Sequence, residues 1–388
     1  MRWLFLAFFT VFAAFGEERQ LTQEARNHAL DNNDNFSAGD RFLCFDIRGS
    51  GQAIMKADAK TGEETLIYGP GPQVVAASYV PGSDSVVFIH GPIGQPYAKT
   101  NRRGAEVDVN GKMHYLDYRD IASPVTPPGA HRGGTHRHEY SGNGKRVAFT
   151  YDDHLLPAYG RTIGMLVPHP KAPGGVSHWF TVLVPVVPEA SAKPGDLVMA
   201  ASDSWVGKQG LMRGFIGKVK ETDGSFKNSL FVVDVPANVD VTTAFAGDAT
   251  HYPTPPNGVR VRRLTTTEVS AGNVRGSSDG KWISYLASAG DGSKQIFVIS
   301  SKGGTPRQVS HVAGGVLGAV RWHPSNKYLA ASAKSGVIVV NVATGKTAVL
   351  TEKGGDALVW SNDGKTLAYN RRVGQYQQIF LSTFDGGF

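Results

Sequence analysis

The chain has 388 residues, with 19% charged residues, 47 glycines and 21 prolines. That turn-rich, charge-poor composition favours an all-β protein and counts against long helices. A formal net charge of +7 favours anionic partners, yet there is no lysine- or arginine-rich run, which argues against nucleic acid.

At the N-terminus a single cation, Arg2, precedes an apolar stretch over residues 3–15, with Ala14 and Gly16 as small residues at its end. This is the pattern of a secretory signal peptide over residues 1–16, cleaved after Gly16. The apolar stretch is too short for a comfortable bilayer span, so no integral membrane segment is expected after cleavage, and the destination is periplasmic or secreted. The only cysteine, Cys44, falls in the strand pattern "RFLCFDI" and reads as core.

A motif then recurs along the chain: "NFSAGDRFLCFD" (35–46), "SYVPGSDSVVFIH" (78–90), "EYSGNGKRVAFT" (139–150), "VRGSSDGKWISYL" (274–286), "RWHPSNKYLAAS" (321–332) and "VWSNDGKTLAYN" (359–370). Each copy has an aromatic or apolar residue, a Ser or His, a Gly/Asn/Asp turn and an alternating strand. Further strands follow, and "RRLT" (262–265), "RQVS" (307–310) and "TAVLT" (347–351) fit a fourth strand. Four strands per unit predict β-propeller blades. Six units are visible and residues 195–250 leave room for another, giving a seven-bladed propeller over residues 17–388. The early "RQLT" (19–22) copies a fourth strand and is expected to close the last blade, hiding its edge. Gly276-Ser277-Ser278-Asp279-Gly280 fits the G-x-S-x-G nucleophile elbow, but a strand follows it instead of a helix, so Ser278 reads as a turn residue.

The densest chemistry lies in "TPPGAHRGGTHRHEYSGNGKRVAFTYDDH" (126–154), which holds His131, His136, His138 and His154, a third of the chain's 12 histidines. Strict pairing around Gly142-Asn143-Gly144 sets His136 near Thr150, His138 near Ala148 and Arg132 near His154. Alternation then puts His136 and His138 on one face, toward the channel. In the first blade the same construction sets "DNND" (31–34) opposite "FDIR" (45–48), so Asn32 and Asp34 correspond to the two histidines, and Arg48 and His90 stand at strand ends on the same rim, where propellers commonly bind ligands; Asn32, Arg48 and His90 are the expected substrate contacts. An i,i+2 histidine pair with a carboxylate suits a divalent metal such as Mn, Zn or Fe, with His131 or Asp34 as a third ligand. Histidines lining a wet channel are the plain alternative. His178 and Trp179, in "SHW" (177–179), offer a stacking floor for a sugar or simply packing.

The W-S-x-D-G-K turn resembles that of the TolB-like propellers of bacterial envelopes. "RRGAEVDVNGKMHYLDYRDI", "RGGTHRHEYSGNGKRVAFTYDDH", "SHW" and "WVG" resemble the signatures of an uncharacterised, YidR-type family among them. That resemblance implies a fold over nearly the whole mature chain and implies no activity. A more distant likeness, carried by "THRHEYSGNGKRVAFT", is to oligogalacturonate lyases, which hold a metal through a "THPHP"-type stretch. Here the second histidine lies one residue closer to the turn, and Gly133 stands where that family has a glutamine. The likeness supports a site more than a reaction; the reading it favours is a metal-assisted lyase on acidic, uronate-containing oligosaccharides, in which a metal on His136 and His138 plus Arg132 would hold the carboxylate and His154, the cross-strand neighbour of Arg132, would serve as base. A noncatalytic envelope scaffold binding a protein or glycan, and a metal-dependent hydrolase or lactonase, are the alternatives.

Overall fold

The computed structural model describes residues 12–13, 16–31, 33–71, 74–91, 98, 101–272 and 274–388. Its repeat turns are stabilised by chemistry written locally. In Ser361-Asn362-Asp363-Gly364-Lys365 the Ser361 hydroxyl donates to Asp363 at 2.7 Å and accepts the Thr366 N–H at 3.0 Å, while Asp363 accepts the Lys365 N–H at 2.9 Å. Gly364 takes a φ of +74°, which costs glycine no side-chain clash. Asp40 and Asn326 occupy the same left-handed place in two other copies. Ser278 sits in one of these turns, its hydroxyl on Asn326 at 3.0 Å, as a turn residue should.

Each such turn joins the first two strands of a blade, and the described residues form seven blades, each of four antiparallel strands, one of which carries a short fifth strand paired in parallel. The inner strands are Asn27–Ala29, Val74–Tyr79, Gly133–Tyr140, Leu197–Trp205, Arg275–Gly276, Val316–Trp322 and Asp356–Trp360. Apolar faces interlock between neighbours: Val87, Tyr140, Phe149, Phe180 and Phe215 belong to one core spanning the second to fourth blades.

The ring closes through the N-terminal segment. Glu18–Gln20 is the outer strand of the seventh blade, with Glu18 opposite Ser382 and Gln20 opposite Phe380. Its motif works as it does in other outer strands. Gln20 donates to the Thr22 carbonyl at 2.7 Å and the Thr22 hydroxyl accepts the Ile379 N–H at 2.9 Å. Gln308 with Ser310, and Arg263 with Thr265, repeat both contacts. Glu18 is further clamped by Arg371 at 2.8 and 2.7 Å and by the Tyr369 hydroxyl at 2.7 Å.

Most of the expected leader lies outside the described residues; Phe12–Ala13 runs parallel to the outer strand Thr347–Thr351 of the sixth blade. Among the described residues no helix is long and apolar enough to cross a membrane.

One departure from regular strands recurs. The inner strands of five blades slip register, between Val75 and Ser78, His136 and Glu139, Ala201 and Ser204, Gly318 and Arg321, and Asp356 and Val359. In four of them a residue inside the slip is left-handed: Ala76, Arg137, Ser202 and Ala357. These are β-bulges, each inserting one residue and turning the following side chains over.

Candidate functional site: the channel mouth

The bulge undoes the expected histidine pair. His136 faces Thr150 as alternation requires, but Glu139, not His138, faces Ala148, because Arg137 at φ +64° takes up the extra residue. His138 is turned into the packing between the second and third blades. Its ring lies 5.1 Å from Phe149, its Nε2 is 2.9 Å from the Thr135 hydroxyl, and it is 1% exposed. A Cβ on Gly104 of the second blade would come within 2.8 Å of the imidazole, so that glycine makes room for it. Burial, opposed by Asp117, lowers the His138 pKa to about 4.

The other expected ligands disperse as well. His131 is fully buried, its Nε2 3.2 Å from Asp117 and its ring against Phe180 and Tyr151. Asp34 reaches Arg321 at 3.0 Å instead of any histidine. Among the described residues no group of three or more His, Cys, Asp or Glu side chains is placed to hold a metal ion. The donor set expected for Mn, Zn or Fe therefore does not fit: His131 and His138 are buried near Asp117, Asp34 is held by Arg321 elsewhere in the channel, and the bulge separates His136 from His138.

The expected acid–base pair separates too. Arg132 is buried with its Nε on Asp153 at 2.9 Å, and its two terminal nitrogens donate to the carbonyls of Asp248 and His251. It ties the segment after the fourth blade's third strand to the third blade, and is a structural anchor, not a channel cation. His154 follows Arg132 in the ladder, its N–H on the Arg132 carbonyl at 3.3 Å, but its side chain is exposed.

Of the expected substrate contacts, His90, His178 and Trp179 are buried in the structure's packing. His90 donates or accepts at Tyr115 OH (2.8 Å), and burial together with Arg103 lowers its pKa. Arg48 pairs with Asp46 at 2.8 Å; in this blade Asn27–Ala29, not "DNND", faces residues 46–48. Asn32 lies outside the described residues. His178 and Trp179 begin the buried outer strand His178–Val182, with Trp179 packed on Gly129 and His169, away from the inner strands.

What the fold does assemble is a cavity of about 440 Å³ at the opposite mouth of the channel, beside the repeat turns, with residues from all seven blades around it. Its charged groups are Asp34, Glu139, Arg275 and Arg321, with Lys208 at the rim, among aromatic side chains that include Tyr79, Trp205, Trp322 and Trp360. The indoles fix the charged strands: Trp205 donates to the Glu139 carbonyl and Trp322 to the Arg275 carbonyl, each at 2.9 Å. Glu139 is held by Arg213 at 2.7 Å, which also grips Asp203. Burial opposes ionisation of Glu139, but Arg213 and the neighbouring arginines keep its pKa low. Arg275 is 3% exposed, and burial plus Arg137, Arg321 and Arg213 push its pKa down. Because a guanidinium keeps its proton in water-accessible proteins, the crowding of cations makes this wall receptive to an anion.

His136 remains partly buried on the other side of the bulge. Burial, with Arg102 and Arg161 next, lowers its pKa to about 3, so the ring is neutral. Both arginines share Asp152, at 3.1 and 2.7 Å.

Sequence reasoning missed Glu139, Arg275 and Arg321. A signal was present: each immediately precedes its repeat's aromatic position (Tyr140, Gly276, Trp322), where other copies carry Asn35, Ser78 or Val359.

Seven four-stranded blades with a cavity on the channel axis define a seven-bladed β-propeller. Residues 73–171 match a family model described as a protein of unknown function, DUF3748. The chain belongs to the family of the uncharacterized protein YidR of Escherichia coli (strain K12), to which it is 34% identical over 396 residues, 90% of this chain and 94% of that one. Among solved structures it is similar to TolB from Acinetobacter baumannii, with a TM-score of 0.47 and 12% identity over 91% of this chain and 84% of that chain. It is similar also to an oligogalacturonate lyase in complex with manganese, with a TM-score of 0.42 and 12% identity over 97% and 96%.

Proposed function

We propose that this protein is a periplasmic or secreted binding propeller that takes acidic, uronate-containing oligosaccharides at the turn-side mouth of its channel. The observation that carries this is the pair Arg275 and Arg321, on adjacent inner strands, in an aromatic-walled cavity of about 440 Å³. That volume falls within the roughly 300–1,000 Å³ typical of small-ligand sites. Arginine matches a carboxylate with two parallel N–H donors, while Glu139 can accept from sugar hydroxyls. Calorimetric titration with galacturonate oligomers tests it. Binding should be lost in Arg275→Gln and weakened by salt, and methyl-esterified oligomers should not bind. Equal binding of esterified and free oligomers would remove the carboxylate from the mechanism.

A lyase is a second reading, favoured by the neutral His136 imidazole beside Arg102 and Arg161. β-Elimination needs a base for the proton α to the carboxylate and a cation for the enolate; Arg102 and Arg161 are the cations, and a substrate carboxylate bound between them would raise the His136 pKa toward the range a base needs. Products with the ultraviolet absorbance of an unsaturated uronate, lost in His136→Ala, would establish it. A saturated, water-added product would mean hydrolysis instead.

A further inference from the structure

Resting on that binding reading, we propose that Asp34 is a built-in competitor for the ligand's carboxylate, occupying Arg321 until an acidic sugar displaces it. The two residues belong to different blades, the first and the sixth, and meet across the mouth with Oδ1 and Nη2 3.0 Å apart. The Arg321 side chain is 14% exposed, whereas the Asp34 side chain is 48% exposed. The cation is thus built into the wall, and its carboxylate partner reaches it from the open side, where a ligand would approach.

Two features make the exchange local. The Asp34 carbonyl accepts the Tyr79 N–H at 2.7 Å, so the backbone is fixed and only the side chain must rotate. The other carboxylate of the cavity differs: Glu139 is nearly buried and shares Arg213 with Asp203, a closed arrangement with no such release.

The charge around Asp34 gives the contact a pH dependence. Facing it are Arg321 and Arg275 from the sixth and fifth blades and Glu139 from the third, with the Cys44 thiol behind it on its own blade. Asp31 and Asp46 lie on its own blade, and Lys208 and His323 at the rim. Partial desolvation inside the walled mouth, though the side chain stays half-exposed, together with repulsion from Glu139, raises the Asp34 pKa above the ordinary carboxylate value against the pull of Arg321 and Arg275. As pH falls through that raised value Asp34 loses its charge before a ligand uronate does, and Arg321 is released. Affinity of the unmodified protein for an acidic sugar should therefore rise on mild acidification and fall again once the sugar itself is protonated.

The test is titration calorimetry of a galacturonic acid trimer into the full chain, with Asp34→Asn, Asp34→Ala and Arg321→Gln. At pH 7 both Asp34 variants should bind about two- to five-fold tighter than wild type, the size of a partly exposed ion pair. The gain should shrink as pH is lowered from 7, because Asp34 of the wild type then loses its own charge, and Arg321→Gln should bind more weakly than any. If wild type binds but neither Asp34 variant gains, the competitor role is overturned while the binding reading stands. If none of the four proteins binds the trimer, both fall together.

Discussion

Replacing Glu18 by glutamine should loosen the ring at its seam. In the folded protein the Glu18 carboxylate accepts two bonds from Arg371 and one from the Tyr369 hydroxyl, and Arg371 also reaches the Gly354 carbonyl and stands 4.5 Å from the Phe380 ring. The Arg371 hydrogen bonds, outweighing burial, bring the Glu18 pKa from 4.5 to about 2. A carboxyl lowered that far corresponds to about 3 kcal/mol of folding free energy. The side chain is 20% exposed, so screening by water reduces this to about 1–3 kcal/mol. Because the folded value is the lower one, the contribution is fully present above about pH 4.5 and disappears as pH falls through about 2. Denaturant unfolding of wild type and Glu18→Gln from pH 2 to pH 8 measures it. The variant should be less stable by a constant margin above pH 5, with the two curves converging in acid. In a thermal scan the margin is small, about 1 °C per kcal/mol for a chain of this length. Equal stability at neutral pH, or a gap that persists unchanged at pH 2, would refute the latch.

Two further substitutions probe the corrections to the histidine region. Arg132→Ala removes the partner of buried Asp153 and should cost about 3–5 kcal/mol. Limited proteolysis should then cut first near residues 244–257, and an unchanged digestion pattern would argue that Arg132 does not anchor that segment. Gly104→Ala places a methyl group 2.8 Å from the His138 ring and should cost about 1–3 kcal/mol, read by chemical denaturation. A neutral result would mean that His138 can leave the packing, which would reopen the channel-facing arrangement.

Much of the architecture is written in short range. A serine, an Asp or Asn two residues on and a left-handed residue make the same turn wherever they occur, because all partners lie within about five residues. The "RQLT" segment declares itself an outer strand for the same reason: Gln20 bonds the Thr22 carbonyl two residues away. Repetition of these local devices was enough to determine six blades and the N-terminal closure, and the length left between them set the seventh. The site was not decided at that range. Inserting one residue at Arg137 reverses every later side chain of that strand, so His138 is buried and Glu139 lines the channel, although the residues themselves follow an unbroken alternating pattern. Arg275 and Arg321 become a site only because the ring brings them to one cavity with Asp34, 287 residues from Arg321 in the chain. A propeller's channel belongs to no single blade. Its chemistry is set by how seven inner strands bend around a common axis, and that bending depends on packing between blades that no local pattern records.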